Sequence, residues 1–461
     1  MSILIRNGEI ITAADRYTAD IFCEDEQITR IGKDLEAPPD TEVIDATGKY
    51  VFPGFIDPHT HIYLPFMGTY AKDTYETASK AALIGGTTCF IDFCIPDAGE
   101  EPLRALETWN AQSEKQSACD YTYHMAVTGF DDMVESQLRE IVVNHGVTSF
   151  KVFLAYKGAL GVSDGQLFHT LRLAKELGVI TTAHCENADI IFELQKAFIS
   201  EGKTGPEWHY HTRPPVVEAE GTGHLMTFAE IHDAHVYVVH LSCEEALNEA
   251  MRAKNRGVNV WVETLIQFLL LDESYAERPD FEGAKYVMSP ALKEKKNQEV
   301  MWNGLKHRFI STLGTDHAPF DFKDQKRMGI DDFTLIPNGI AGIEDRVNLL
   351  FTYGVREGRL DPHTFVDCAS TQAAKIFGLY PRKGTIQVGG DADLVVYDPN
   401  YVGAISVDTH HMNIDYSAFE GWKIKGRPHV VTVRGEVAVR EGEFVGTVGR
   451  GRFLKREPNH F

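Results

Sequence analysis

Between residues 52 and 317 the chain repeats one rhythm, and that rhythm limits the fold more than any other feature of the sequence. Short runs rich in apolar residues recur: FPGFID (52–57), TTCFIDF (87–93), DYTYHMAV (120–127), SFKVFLAY (149–156), VITTAH (179–184), HVYVVHL (235–241), VNVWVETL (258–265) and FISTLGTDH (309–317). Runs this short and this apolar suit strands covered on both faces, the environment of a parallel sheet. Helix-length amphipathic segments separate most of them. Asp73–Leu83 stops at Gly85-Gly86, Ser163–Leu177 begins on a capping serine and stops at Gly178, and Cys243–Arg256 stops at Gly257. Eight parallel strands with helices between them specify an α/β fold, a (β/α)8 or TIM barrel, with the active site where the strands end.

The two flanks follow a different rhythm. Residues 1–52 alternate apolar and polar side chains and turn often at Gly, Asn, Asp and Pro, as short β-strands do. The same pattern returns after about residue 380, in GTIQVGGDADLVVYDP, WKIKG and HVVTVRGEVAVREGEFV. The expected organisation is a catalytic barrel over 53–379 and a small β-sandwich assembled from 1–52 and 380–461. At 461 residues the chain exceeds the usual size of a single core, which agrees with two domains. The tail Arg450–Arg456 is basic in a chain of net charge −22, and either stays solvated or docks on an acidic neighbouring subunit. So acidic a chain argues against nucleic acid as a partner. No apolar run approaches the ~20 residues of a membrane span, and the opening MSILIRNGEIIT lacks the pattern of a secretory leader. Seven dispersed cysteines without CxxC spacing fit reduced thiols, so the expected setting is cytoplasmic, with no membrane partner.

Strand ends are the places to look for chemistry, and they carry it. In PGFIDPHTH (53–61), Phe55, Ile56 and Asp57 read as the end of the first strand, with Pro58 terminating it. Side chains alternate in extended backbone, so His59 and His61 point the same way. The fifth run ends at His184, the sixth at His240, and the eighth reaches Asp316 in a Gly-Thr-Asp-His turn. One histidine among 19 reads as surface or core; four at the ends of three strands, with an aspartate, read as a metal site. Cys185 beside His184 is a further ligand or a small buried filler. Lys151 lies in the fourth run among Phe150, Val152, Phe153 and Leu154. Desolvation and nearby metal charge depress a lysine pKa, and a neutral amine adds CO2 to give a carbamate. That carbamate is a bidentate carboxylate able to bridge two ions about 3.5–4 Å apart, beside a bridging hydroxide. His59, His61 and Asp316 would then serve one ion, and His184 and His240 the other.

HxH after the first strand, a lysine on the fourth, histidines ending the fifth and sixth and an aspartate after the eighth resemble the amidohydrolase superfamily. Its cyclic-amidase branch, the dihydropyrimidinases and D-hydantoinases, is similar along essentially the whole chain. LIRNGEIIT, VIDATGKYVFPGFIDPHTHIYLPF, SFKVFLAYK, AHCEN, GKTGPEWH, VVHLSC, YVMSPALK, GTDHAPF, IPNGIAGIEDRVNLL and KGTIQVGGDADLVVYDP all read as that branch. The resemblance implies a homotetramer with two divalent ions per subunit, zinc by default and manganese, cobalt or nickel as substitutes. It implies N6-carboxylysine at Lys151, and metal ligation by His59, His61, Lys151, His184, His240 and Asp316. The implied reaction opens 5,6-dihydropyrimidines to N-carbamoyl-β-amino acids and 5-substituted hydantoins to N-carbamoyl amino acids. Asp316 would take the hydroxide proton and hand it to the leaving nitrogen, and Tyr156 would steady the oxyanion. Ser289 and Asn338 match positions that hold the ring's amide groups, largely through backbone atoms. Leu64 and Phe66 in Ile62–Lys72, and Phe153 in Phe153–Val162, lie on loops that resemble the family's gates over the exocyclic substituent.

The chain departs from the family pattern at three places, and the first two bear on the substrate. Ile62-Tyr63 follows His61 without the arginine typical of dihydroorotases, which weakens that reading. Ala159 and Leu160 stand where bacterial hydantoinases commonly carry aromatics, which predicts a roomier pocket. Glu263 opens a stretch, ETLIQF, that lacks the Pro-His seen near there in relatives. Two alternatives accompany the main expectation: an allantoinase, and a dihydropyrimidinase-like scaffold that acts through protein contacts without catalysis.

Overall fold

The computed structural model describes residues 2–458. Eight parallel strands form the barrel: β1 (Phe55–Thr60), β2 (Thr87–Cys94), β3 (Asp120–Ala126), β4 (Ser149–Lys157), β5 (Ile180–His184), β6 (Val236–Val238), β7 (Val260–Leu265) and β8 (Thr312–Gly314). Each pairs in parallel with its neighbour in sequence. All eight runs found in the sequence are therefore barrel strands, though several differ in length. Pro58 does not terminate β1, which continues to Thr60. The pairing with β2 shifts register between Asp57 and Thr60, so the missing N–H of Pro58 falls in an irregular stretch. β6 and β8 are only three residues long, because the chain leaves extended backbone before His240 and Asp316.

The helices follow their end signals. Asp164–Leu177 has a capping box between Ser163 and Gln166 and stops at Gly178, which is left-handed at φ 68°. Tyr75–Ile84 is capped by Thr74, and Glu244–Asn255 follows Cys243.

The ring closes between β1 and β8 through polar bonds as well as packing. The backbone N–H of His61 donates to His317 O at 2.9 Å. Thr315 Oγ1 donates to Asp57 Oδ2 at 2.6 Å. Buried Arg346 spans the seam, donating to Ile56 O at 2.9 Å, Leu313 O at 2.7 Å and Thr87 Oγ1 at 3.1 Å.

Both flanks enter one nine-stranded sheet beside the barrel. Tyr50–Pro53 joins them: it lies parallel to Ser2–Ile11 and antiparallel to Leu394–Ala404. Ile3, Ile5, Ile21, Val51, Leu394, Val396 and Val430 pack a separate small core under this sheet. The basic tail returns to its own chain. Arg452 pairs with Glu26, and buried Arg456 donates to Thr122 Oγ1, Ser149 Oγ and Phe377 O at the base of the barrel. Among the described residues no helix is long and apolar enough to cross a membrane.

Arg346→Met would leave the carbonyls of Ile56 and Leu313 and the carboxylate of Asp57 short of a partner in a dry seam. The expected loss is about 3 kcal/mol or more of stability, read from urea unfolding midpoints. A loss below ~1 kcal/mol, the scale of a single surface contact, would contradict a role in closure.

Candidate active site

The mouth of the barrel gathers residues from strand ends and the loops beyond them into one cavity. Lys151 and His184 reach it from β4 and β5, and His61, His240 and Asp316 from just past the ends of β1, β6 and β8. Leu64 and Phe66 come from the loop after β1, and Phe153, Tyr156 and Leu160 from β4 and the turn beyond it. Ser289 and Asn338 close it from later loops. His59 lies just behind, fully buried. All residues expected from the sequence are thus brought together. Ile95, Ala318 and Phe320 also line the cavity and carried no sequence signal beyond apolarity.

The histidines and Asp316 converge closely. His59 Nε2 and His61 Nε2 each lie 3.0 Å from Asp316 Oδ1. Ligand atoms of His59, His240 and Asp316 fall within 4.8 Å of one another. Two backbone positions make this possible: His240 (φ 42°) and Asp316 (φ 50°) are left-handed, and Tyr156 (φ 58°) is too. Each costs on the order of 1 kcal/mol for a residue with a Cβ, and such positions cluster at functional sites. Phe93 packs beneath, stacked on His61 with ring centres 5.0 Å apart.

Buried carboxylates orient the imidazoles. Glu263 accepts from His59 Nδ1 at 2.7 Å, from the His240 backbone N–H at 2.9 Å and from Tyr237 Oη at 2.8 Å. Glu186 lies 2.7 Å from His184 Nε2 and accepts from Arg213 at 2.6 Å. Neither carboxylate has a role in the sequence reading, which noted Glu263 only as a departure. The signals were there: Glu186 stands two residues after His184, and the seventh strand was otherwise without a site residue. Cys185 is a filler, its thiol raised by burial and directed at Ala183 O.

The electrostatics favour a cation among these groups. Burial opposes charge on His59, yet Glu263 and Asp316 outweigh it and raise its pKa to about 9. Burial also works against the Asp316 carboxylate, but the neighbouring imidazoles hold it well below the usual range. Burial lowers His61 to about 4 and keeps His240 neutral. Lys151 has no exposed surface and its Nζ has no hydrogen-bond partner, lying 4.5 Å from the Phe93 ring centre. Burial lowers its pKa to about 8. Polar atoms of His61 and His240 are likewise buried without partners. Buried polar atoms normally have partners, so unpartnered atoms on imidazoles and an amine around one cavity, with His59, His240 and Asp316 converging, fit divalent ions. The cavity offers His59, His61, His184, His240, Asp316 and a modified Lys151 to hold them.

Tyr156 closes the far side. Its ring meets Phe66 edge-on at 5.5 Å, and it lines the cavity together with Ser289 and Asn338.

Comparison with known proteins gives this arrangement a context. The model of the Amidohydrolase family matches residues 50–438. A D-hydantoinase of Geobacillus stearothermophilus is 50% identical over 99% of this chain and 97% of its own. A dihydropyrimidinase of Rattus norvegicus is 40% identical over 99% of this chain and 89% of its own. The solved structure of a D-hydantoinase (dihydropyrimidinase) from Thermus sp. superposes with a TM-score of 0.98 at 63% identity, covering both chains completely.

Glu263→Gln keeps the shape of the side chain but removes the charge that faces His59. Divalent-ion affinity of chelator-stripped protein should fall by about tenfold to a hundredfold, measured by titration calorimetry. Unchanged affinity would mean that Glu263 only packs.

Proposed function

Because the chain belongs to the amidohydrolase family, we propose that it opens cyclic amide and imide rings by hydrolysis, as a dihydropyrimidinase or D-hydantoinase. Dihydropyrimidines would yield N-carbamoyl-β-amino acids, and 5-substituted hydantoins N-carbamoyl amino acids. The observation that carries this reading is the orphan ammonium of Lys151, buried beside four histidines and Asp316 at the mouth of the barrel. A buried lysine without a partner is costly. Conversion to a carbamate removes that cost by making the group a metal ligand. A neutral amine attacks CO2, the N–C bond forms as one C=O π bond opens onto oxygen, and the amine proton passes to water; the lowered pKa supplies the neutral amine near neutrality.

His59, His61, His184, His240, Asp316 and the Lys151 carbamate would hold two divalent cations, zinc by default, with manganese, cobalt or nickel suited to the same ligands. Once bound, the ions would supply an activated water at neutral pH and polarise the ring carbonyl. The side chains do the rest. Asp316 takes the proton of the attacking water and delivers it to the leaving ring nitrogen. The Tyr156 hydroxyl, fixed by its left-handed backbone, donates to the oxygen on which negative charge develops. Ser289 and Asn338 hold the ring amide from the opposite wall, and Leu64, Phe66 and Phe153 bound the space for its substituent. Leu160 lines that space with a smaller side chain than an aromatic.

We place the enzyme in the cytoplasm as a homotetramer. All seven cysteines are buried free thiols, which supports a reducing compartment. Every expected ligand position is filled and the relatives carry hydantoinase or dihydropyrimidinase names, so neither the scaffold nor the allantoinase reading is favoured.

The test is kcat/KM for dihydrouracil beside 5-phenylhydantoin on metal-replete enzyme. Preference for the first assigns pyrimidine breakdown, preference for the second assigns hydantoin hydrolysis, and turnover of neither overturns the reading. Asp316→Ala should lower kcat/KM by about a thousandfold or more, through loss of both acid–base catalysis and a ligand, with circular dichroism unchanged. Near-normal turnover would remove the proton-transfer role. Intact mass of active enzyme should exceed the sequence mass by one carboxyl group per chain under CO2, and Lys151→Met should abolish that increment.

A further inference from the structure

The molecule has a second fully buried lysine near the cavity, and its hydrogen-bond partners set it apart from Lys151. Lys326 opens a 3-10 turn, Lys326–Gly329, in the long loop after β8. Its Nζ donates to three backbone carbonyls: Val287 at 2.8 Å, Pro337 at 2.7 Å and Gly339 at 2.8 Å. An ammonium has three N–H donors, and here each meets a carbonyl. Among the described residues no carboxylate pairs with it.

The identity of those carbonyls matters. Val287 lies two residues before Ser289, and Pro337 and Gly339 flank Asn338. The Gly339 N–H joins the two segments directly, donating to Val287 O at 3.0 Å. Lys326 is the polar group that binds both at once. Its turn is itself held in place, since Gln325 Nε2 donates to Tyr70 O and Thr69 Oγ1 at 2.7 Å each.

We propose that Lys326 is a positioning residue for substrate recognition, fixing the backbone of Ser289 and Asn338 at the spacing that a ring amide requires. This rests on the reading of Ser289 and Asn338 as the amide-holding pair. Recognition through backbone atoms has no rotamer to adjust. The separation of the two segments therefore sets the fit, and a misplacement of ~1 Å is enough to weaken it. Lys326 touches neither the substrate space nor the metal ligands, so its loss should act on ring binding before it acts on the ions.

The experiment compares wild type, Lys326→Met and Lys326→Arg by steady-state kinetics on dihydrouracil and 5-phenylhydantoin, with metal content and Tm of each. Val51→Ala, in the core of the flank sheet, serves as a destabilised control. Lys326→Met should raise KM for both rings by about tenfold or more, with a smaller change in kcat and wild-type metal content. Lys326→Arg should fold and also raise KM, because a planar fork cannot serve three carbonyls converging on one nitrogen. The Val51→Ala control should lose Tm and keep its KM. Wild-type KM in either soluble Lys326 variant would overturn the proposal. Failure of both to fold would overturn it too, by making Lys326 a folding residue. If wild-type protein turns over neither ring, the functional reading itself fails, and this inference falls with it.

Discussion

Glu263 lies in the wall of the barrel with no surface exposed to water, and it receives three hydrogen bonds from the β1 and β6 regions of the chain. His59 and Tyr237 belong to β1 and β6, the His240 backbone N–H comes from the segment just past β6, and Glu263 itself is on β7. A carboxylate taken out of water needs such donors, or it protonates. The donors it finds are the parts of the candidate site that must be held still. The imidazole of His59 has one nitrogen on Glu263 and the other free to face Asp316. A single buried charge thus ties ring orientation, strand spacing and ligand geometry together.

The same economy governs the backbone. His240, Asp316 and Tyr156 leave extended backbone for left-handed positions at the ends of their strands. The turns aim their side chains inward over the barrel mouth instead of along the strand. The cost of each turn is borne by the barrel beneath, whose β1–β8 seam is stitched by Asp57, Thr315 and Arg346. Rigid strands and strained ends are therefore two sides of one arrangement.

The two buried lysines show how partners decide chemistry. Burial pushes both ammonium groups toward neutrality. Lys326 keeps three carbonyls around its nitrogen and acts as a brace. Lys151 has only aromatic faces beside it and polar ligands ahead of it. An amine with no hydrogen-bond partner in a dry pocket is free to react; one saturated with carbonyls is not.

The sequence by itself determined the strand order, the helix ends and the six residues that converge at the barrel mouth. Period and apolarity report burial of a strand directly, and His, Lys and Asp at strand ends stand out against that background. It also showed that both flanks were β, but not that Tyr50–Pro53 would join them, since strand pairing across hundreds of residues leaves no local mark. The extension of β1 through Pro58, the early ends of β6 and β8, the supporting roles of Glu263 and Glu186, and the meeting of Lys326 with two distant loops were decided only by the tertiary structure. Each depends on which groups lack water and which donors stand opposite them. That is a property of the packed chain, because the same glutamate or lysine on a solvated face would have neither the need for those partners nor their effect.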